Sequence, residues 1–144
     1  MRSNRPSASE ASELVDAFFT FMPTVVRHMN EQLAPMDMTN TDLWALRTID
    51  GPMPMKELAQ RMAFDPSYVT LVADRLVVLD LIERQPHPTD RRVKKLVLTT
   101  KGKKLQKTIP EKVWNGPNVF EKLSAPEREQ LRELLGKLSA TDVD

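Results

Sequence analysis

The chain has 144 residues, 40% of them hydrophobic and 28% charged, and a formal net charge of +1, which is ordinary for one globular domain that buries a core. Because it contains no Cys and only two His, it excludes disulfides and thiol chemistry, and no ligand spacing predicts a metal or cofactor. No apolar run approaches a membrane span and no signal peptide pattern opens the chain, so we expect a cytoplasmic protein without a membrane partner.

The first predicted helix begins near residues 9–12 and runs to about Leu33. From Leu14 onward, apolar residues recur at the three- and four-residue spacing of one helix face. A second apolar set widens this stripe beyond what one partner helix needs: Val15, Phe19, Met22 and Val26. The width predicts burial both against the chain's own domain and against a second subunit. Pro23 lies inside the pattern and is expected to kink the helix.

Two short helices are predicted next. The first spans about residues 41–49 and begins after an N-cap at Thr39. Trp44 lies within it, and the pattern allows this ring to be either a core residue or the wall of a pocket. The second short helix spans residues 55–62, and a tight connection follows it.

A longer helix then begins with the strongest local start signal in the chain. Asp65 is expected to cap it, and Pro66 occupies the first helical position, where its missing N–H costs nothing. The helix is predicted to end at Leu79. Two short helices joined by such a turn form a helix-turn-helix, whose second helix enters the major groove of DNA. A surface helix pair without a partner is the alternative.

Two short strands follow this helix and predict a β-hairpin. They span residues 81–85 and 93–98 and are separated by the Pro-rich loop 86–92. Two arginines, Arg91 and Arg92, lie at the tip, and Arg at such a tip suits insertion into a narrow minor groove. Asp90 is expected to pair with a nearby Arg and hold the tip in shape.

Positive charge is concentrated around this hairpin. From Arg84 to Lys107 there are nine Lys or Arg residues against one acid, Asp90, so this segment carries +8 and the remainder −7. Such segregation is expected of a phosphate-binding surface. A solvated basic face is the alternative.

The last third of the chain is predicted to be helical with one interruption. A helix capped by Thr99 starts near residue 100, bends at Pro110, and is broken at residues 114–117 before helix resumes through about residue 123. Ser124 to Glu127 form a capping box that opens the last helix. The elements together predict a mainly α fold with a small β-hairpin wing.

Several motifs resemble the MarR family (multiple antibiotic resistance regulators) of bacterial transcription factors, over roughly residues 14–138. The motifs are Asp74-Arg75-Leu76, Leu81 to Arg84, the P-T-D-R-R of Pro88 to Arg92, the L-T-x-x-G of Leu98 to Gly102, and the last helix from Glu127 to Leu135. The resemblance implies a sequence-specific regulator, expected to be a repressor, that binds a pseudo-palindromic operator in double-stranded DNA.

The resemblance also implies an organisation within the single domain 1–144. Residues 10–34 and 100–139 would form a helical dimerisation region of a homodimer, and residues 39–98 a winged helix-turn-helix lobe. The expected DNA-contacting residues are Ser67, Tyr68, Thr70, Leu71, Arg75, Asp90, Arg91, Arg92 and Lys94. A pocket for a small aromatic or phenolic ligand that releases DNA would be lined by His28, Met29, Trp44 and Arg47.

Three features depart from the family's pattern. Leu71 stands where many relatives carry a polar or basic groove-facing residue, Asp80 replaces a usual Gly, and Gly116-Pro117 interrupts a helix that is usually continuous. The alternative function is a winged-helix protein-interaction module without DNA binding. An enzyme is not indicated, because the sequence has no nucleophile–base pair, Gly-rich phosphate loop or metal constellation.

Overall fold

The computed structural model describes residues 4–86, 89–90, 92 and 94–140. The helices are α1 (Ala8–Leu33), α2 (Asn40–Thr48), α3 (Met55–Met62), α4 (Pro66–Val78), α5 (Thr100–Trp114) and α6 (Ala125–Ser139). The strands are β1 (Met53–Pro54), β2 (Ile82–Pro86) and β3 (Lys94–Leu98). This confirms the predicted mainly α fold with a small β-sheet. Within these described residues, no helix combines the length and apolar character needed to cross a membrane.

Side-chain caps begin α2 and α6 where the sequence predicts them. At the start of α2, the Asp42 carboxylate accepts the N–H of Thr39 at 2.9 Å, and the Thr39 hydroxyl accepts the N–H of Asp42 at 3.4 Å. Ser124 and Glu127 form the same reciprocal pair at α6. Because the Ser124 N–H donates to the Glu127 carboxylate, the pKa of Glu127 lies below its usual value. Local hydrogen bonding therefore sets these boundaries.

The segment between α5 and α6 differs in part from the prediction. The break near Gly116 is confirmed, and helix resumes after it as predicted, but as the short 3₁₀ helix Val119–Lys122 and not as an α-helix. Asn118 explains the difference: its side chain accepts the N–H of Phe120 at 3.1 Å and donates to the Gly116 carbonyl at 3.1 Å. These bonds favour a tight turn over an α-helical start. Upstream, α5 continues through Pro110.

The sheet has three antiparallel strands in the order β1-β3-β2. In the hairpin, Ile82 lies opposite Leu98 and Glu83 opposite Val97. The predicted hairpin is confirmed, with its first strand beginning one residue later than expected. Strand β1, which pairs Met53 with Leu96, was not predicted, because two residues that include a proline carry no strand periodicity.

The hydrophobic core lies under the helix-turn-helix and the sheet. Its largest fully buried side chains include Leu46, Leu58, Leu76, Leu96 and Ile109, from α2, α3, α4, β3 and α5 respectively. By contrast, α1 contributes Leu33 as its buried residue, and α6 has none. The first half of the broad apolar stripe of α1, from Leu14 to Phe21, is therefore left exposed within one chain.

Candidate nucleic-acid interface

One face of helix α4 is buried in the core, and a side chain caps the start of the helix. Four residues form the buried face: Val69, Val72, Ala73 and Leu76. The Asp65 carboxylate accepts the N–H of Ser67 at 2.8 Å and also the Ser67 hydroxyl proton. Both bonds lower the pKa of Asp65 below its usual value, and the bond from the hydroxyl has the larger effect. The predicted cap is confirmed, and it fixes the direction in which α4 leaves the turn.

The turn between α3 and α4 carries its own supports. Ala63 ends α3 in the left-handed conformation, with φ of 54°, which is costly for a residue that has a Cβ. An aromatic chain spans the turn: the ring centroids of Trp44 and Phe64 are 5.3 Å apart, and those of Phe64 and Tyr68 are 5.4 Å apart, both edge to face. Tyr68 is thereby positioned at the start of α4 while remaining half exposed.

The outward face of α4 lies opposite its buried face. With 3.6 residues per turn, four residues form this outward stripe: Ser67, Leu71, Asp74 and Val78. Leu71 is 60% exposed and Val78 is 85% exposed. Exposed apolar side chains at these positions are unusual for a helix that faces only water. A surface that α4 presents to a partner is therefore partly apolar.

Arg75, a predicted DNA contact, is tied into the fold. Its guanidinium donates to the Asp42 carboxylate at 2.7 Å, and that carboxylate is 1% exposed. The other Asp42 oxygen is buried and has no hydrogen-bond partner. The pair fastens α4 to the start of α2, although the Arg75 side chain remains 50% exposed. Sequence reasoning missed Asp42 as its partner, because 33 residues separate the two.

Three charged side chains in the described part of the wing are exposed to solvent. Asp90, Arg92 and Lys94 are exposed, and the Asp90 carboxylate accepts the N–H of Arg92 at 3.0 Å. That bond closes the turn at the tip. Arg91, which was also predicted to contact DNA, lies outside the described residues, as does His87. At the base of the wing, Arg84 forms an ion pair with Asp74 and so joins β2 to α4.

Hydrogen bonds of Thr99, in the L-T-x-x-G motif, connect the end of the wing to the segment after α4 and to the start of α5. The Thr99 N–H donates to the Leu81 carbonyl at 3.1 Å, and its hydroxyl donates to the Asp80 carbonyl at 2.7 Å. The same hydroxyl accepts the N–H of Gly102 at 3.0 Å and caps α5. A Cβ on Gly102 would lie 2.0 Å from the Leu81 carbonyl oxygen, so this close approach requires glycine. Asp80 has φ of 58°, which explains why glycine suits that position too.

Comparison with known proteins identifies this arrangement. The family model described as MarR family matches residues 38–94, from the residue before the α2 cap to the start of β3. Over 110 residues, the chain is 30% identical to the uncharacterized HTH-type transcriptional regulator YhbI of Bacillus subtilis, covering 74% of this chain and 71% of YhbI. The chain belongs to the MarR family.

Two further proteins are similar to this MarR-family chain. The HTH-type transcriptional repressor MdtR of Bacillus subtilis is 40% identical over 76 residues, which is 51% of this chain and 49% of MdtR. A mutant MarR from E. coli, solved in complex with operator DNA, superimposes with a TM-score of 0.73 at 25% identity, covering 94% of this chain and all of that one. This MarR-family chain is a DNA-binding transcriptional regulator.

A cavity of about 590 Å³ separates α1 from α2 in this MarR-family chain. Three of the four residues predicted to line a ligand pocket meet there: Met29, Trp44 and Arg47. The remaining lining residues are Met22, Val25, Val26, Asn40, Leu43 and Thr48. Trp44 is 47% exposed, so of its two predicted roles it has that of a pocket wall. The described residues contain no group of three or more His, Asp or Glu placed to hold a metal ion.

His28 lies outside this cavity, which corrects its predicted place in the pocket. The α1 residues that line the cavity recur with helical spacing up to Met29, and His28 is turned about 100° away from that face. Its ring instead stacks on Trp114, with centroids 4.8 Å apart, and its Nε2 is 2.8 Å from the Val113 carbonyl oxygen, where an Nε2–H can donate. His28 therefore joins α1 to the end of α5.

Proposed function

We propose that this chain is a cytoplasmic homodimeric repressor that binds a pseudo-palindromic operator in double-stranded DNA. The observation that carries the proposal is the placement of α4, with an exposed outward face, beside a wing whose Arg92 and Lys94 are exposed. A recognition helix of this kind fits the major groove, and a basic wing fits the adjacent phosphates and minor groove. The similarity to MdtR, a repressor, and to operator-bound MarR supports this reading.

Each part of the interface would supply a different part of binding. The basic segment from Arg84 to Lys107 would supply affinity, because cations that neutralise phosphates release counterions. Specificity would come from the exposed side chains of α4. The residues we assign to DNA contact are Ser67, Tyr68, Thr70, Leu71, Arg75, Asp90, Arg91, Arg92 and Lys94, with Asp90 acting by holding the wing turn.

The proposed dimer rests on apolar side chains that one chain leaves uncovered. In the first half of α1, Leu14, Phe18 and Phe19 are 64%, 48% and 66% exposed. In α6, Leu134, Leu135 and Leu138 are 50%, 46% and 84% exposed. A patch of this kind marks an interface. We therefore assign residues 10–34 and 100–139 to dimerisation and residues 39–98 to a DNA-binding lobe, so that two copies of α4 read two half-sites.

The dimer can be tested separately from DNA binding. Phe19→Asp places a charge on the exposed face of α1 and should give a monomer in sedimentation velocity, with loss of operator binding. Val78→Asp is the matched control, because Val78 is also an exposed apolar residue but lies on α4. It should leave the dimer intact. A dimeric Phe19→Asp protein would contradict the assigned interface.

Operator binding is tested by selecting bound sequences from a random DNA pool. Arg92→Ala should weaken binding of the selected operator by about 1–3 kcal/mol and reduce the salt dependence of the binding constant. Arg132→Ala, which removes an exposed arginine of α6 that pairs with Glu129, should change neither. A pool from which no sequence is enriched would favour the protein-interaction module instead.

The cavity between α1 and α2 suits a small aromatic or phenolic ligand. Its wall is mostly apolar, Trp44 offers a ring for stacking, and Arg47 offers a cation for a carboxylate or phenolate. A ligand that releases DNA must bind the DNA-incompetent state more tightly, so operator DNA must lower ligand affinity by the same factor. A thermal-shift screen of hydroxybenzoic acids, repeated with Trp44→Ala, tests this. No stabilisation of the wild-type protein by any of them would count against the ligand.

A further inference from the structure

We propose that Leu71 recognises the C5-methyl group of a thymine in each operator half-site. The apolar contact would specify that base pair without a hydrogen bond. This inference rests on the proposed function, since it states how α4 selects its operator. It follows from the bonds within the protein that the other polar side chains on the exposed surface of α4 already form.

The Ser67 and Thr70 hydroxyl groups near the start of α4 have already used their protons. The Ser67 hydroxyl donates to the Asp65 carboxylate. The Thr70 hydroxyl donates to the Pro66 carbonyl at 3.0 Å. A hydroxyl has a single proton to donate, so neither can donate to the acceptors of a guanine edge without breaking an internal bond. They keep only their capacity to accept.

The charged groups of α4 are also paired within the protein. Its sequence contains one Arg and no Lys, and that residue, Arg75, donates to the buried carboxylate of Asp42. Bidentate recognition of guanine by Arg75 would turn the guanidinium away from a carboxylate that has little access to water. Asp74, the acid on the outward stripe, forms an ion pair with Arg84. The pairing reduces repulsion between Asp74 and phosphates.

Leu71 occupies the middle of the outward stripe and is 60% exposed. Among the groups that base pairs present in the major groove, the thymine methyl is the one that an aliphatic side chain complements, because the others are hydrogen-bond donors or acceptors. Val78, the other exposed apolar residue of the stripe, lies seven residues further along, about 10 Å towards the end of the helix. Leu71 is therefore the residue positioned to contact a methyl group where recognition helices read bases.

The experiment removes the methyl group and leaves the hydrogen-bonding groups unchanged. In the selected operator, each thymine of a half-site is replaced in turn by deoxyuridine, and affinities are measured by fluorescence anisotropy. At one position we expect about a fourfold loss per half-site, the effect of one buried methyl group. At that same position, 5-methylcytosine should bind better than cytosine by a similar factor, because it restores the methyl group without restoring thymine.

Protein variants assign the effect to a side chain. Leu71→Ala should bind the thymine and deoxyuridine operators equally, whereas Val78→Ala should keep the wild-type ratio. Both residues are exposed, and matching circular dichroism unfolding curves will show that both variants fold. The inference is overturned if Leu71→Ala keeps the wild-type ratio, or if no thymine shows a methyl effect. A pool without an enriched sequence would overturn the proposed function as well, which separates the two failures.

Discussion

Replacing Gly102 with Ala tests how closely α5 must approach the base of the wing. The new Cβ would lie 2.0 Å from the Leu81 carbonyl oxygen and 2.9 Å from its carbonyl carbon. Unbonded carbon atoms settle at about 3.5 Å or more, so backbone must move by roughly an ångström. Both contacts are to backbone, so a change of side-chain rotamer cannot relieve them. The start of α5 has to separate from the segment that joins α4 to β2.

The loss of stability follows from the bonds that this separation disturbs. The Thr99 N–H bond to the Leu81 carbonyl, at 3.1 Å, and the Thr99 cap on Gly102, at 3.0 Å, lie at the contact. Each contributes about 1 kcal/mol, and overpacking adds about 1–3 kcal/mol. We therefore expect the free energy of unfolding to fall by about 3–5 kcal/mol, against a typical total of about 5–15 kcal/mol.

The measurement is urea unfolding followed by circular dichroism at one fixed protein concentration. Gly51→Ala is the matched control, because a Cβ there meets nothing within 4 Å and its φ is not positive. That variant should be more stable by about 0.4–1 kcal/mol, since it restricts the unfolded chain. If Gly102→Ala unfolded within about 1 kcal/mol of the wild type, the idea of a rigid contact between α5 and Leu81 would be refuted.

Three further changes test the supports of α4. Arg75→Met leaves the buried Asp42 carboxylate without its cation and should cost about 1–3 kcal/mol in urea unfolding; unchanged stability would contradict the role of the pair. Ala63→Gly relieves a left-handed alanine with φ of 54° and should stabilise by about 0.5–1 kcal/mol; a lower midpoint would count against it. The pKa of Asp65 is lowered in the folded state below its ordinary 3.8, so its contribution is present above that pH and is lost as the pH falls through the lower folded pKa. Asp65→Asn should therefore flatten the acid side of a plot of stability against pH, and an unchanged plot would contradict the cap.

Features that depend on neighbouring residues could be predicted from the sequence. Helix starts at Thr39, Asp65 and Ser124 were predicted correctly because each cap binds an N–H within three residues. The break near Gly116 was predicted for the same reason, since Gly and Pro allow or restrict particular backbone angles locally.

Pairings between distant residues could not be predicted from the sequence, because they depend on how the elements pack. The Arg75–Asp42 pair spans 33 residues, and the His28–Val113 hydrogen bond spans 85. Periodicity predicts that α1 has an apolar face. Neighbouring residues point about 100° apart around the helix axis, and the packing of α1 decides which of them lines the cavity and which contacts α5. That is why Met29 lies in the cavity and His28 does not. Such choices depend on how helices pack against one another, and no interaction local in the sequence determines that packing.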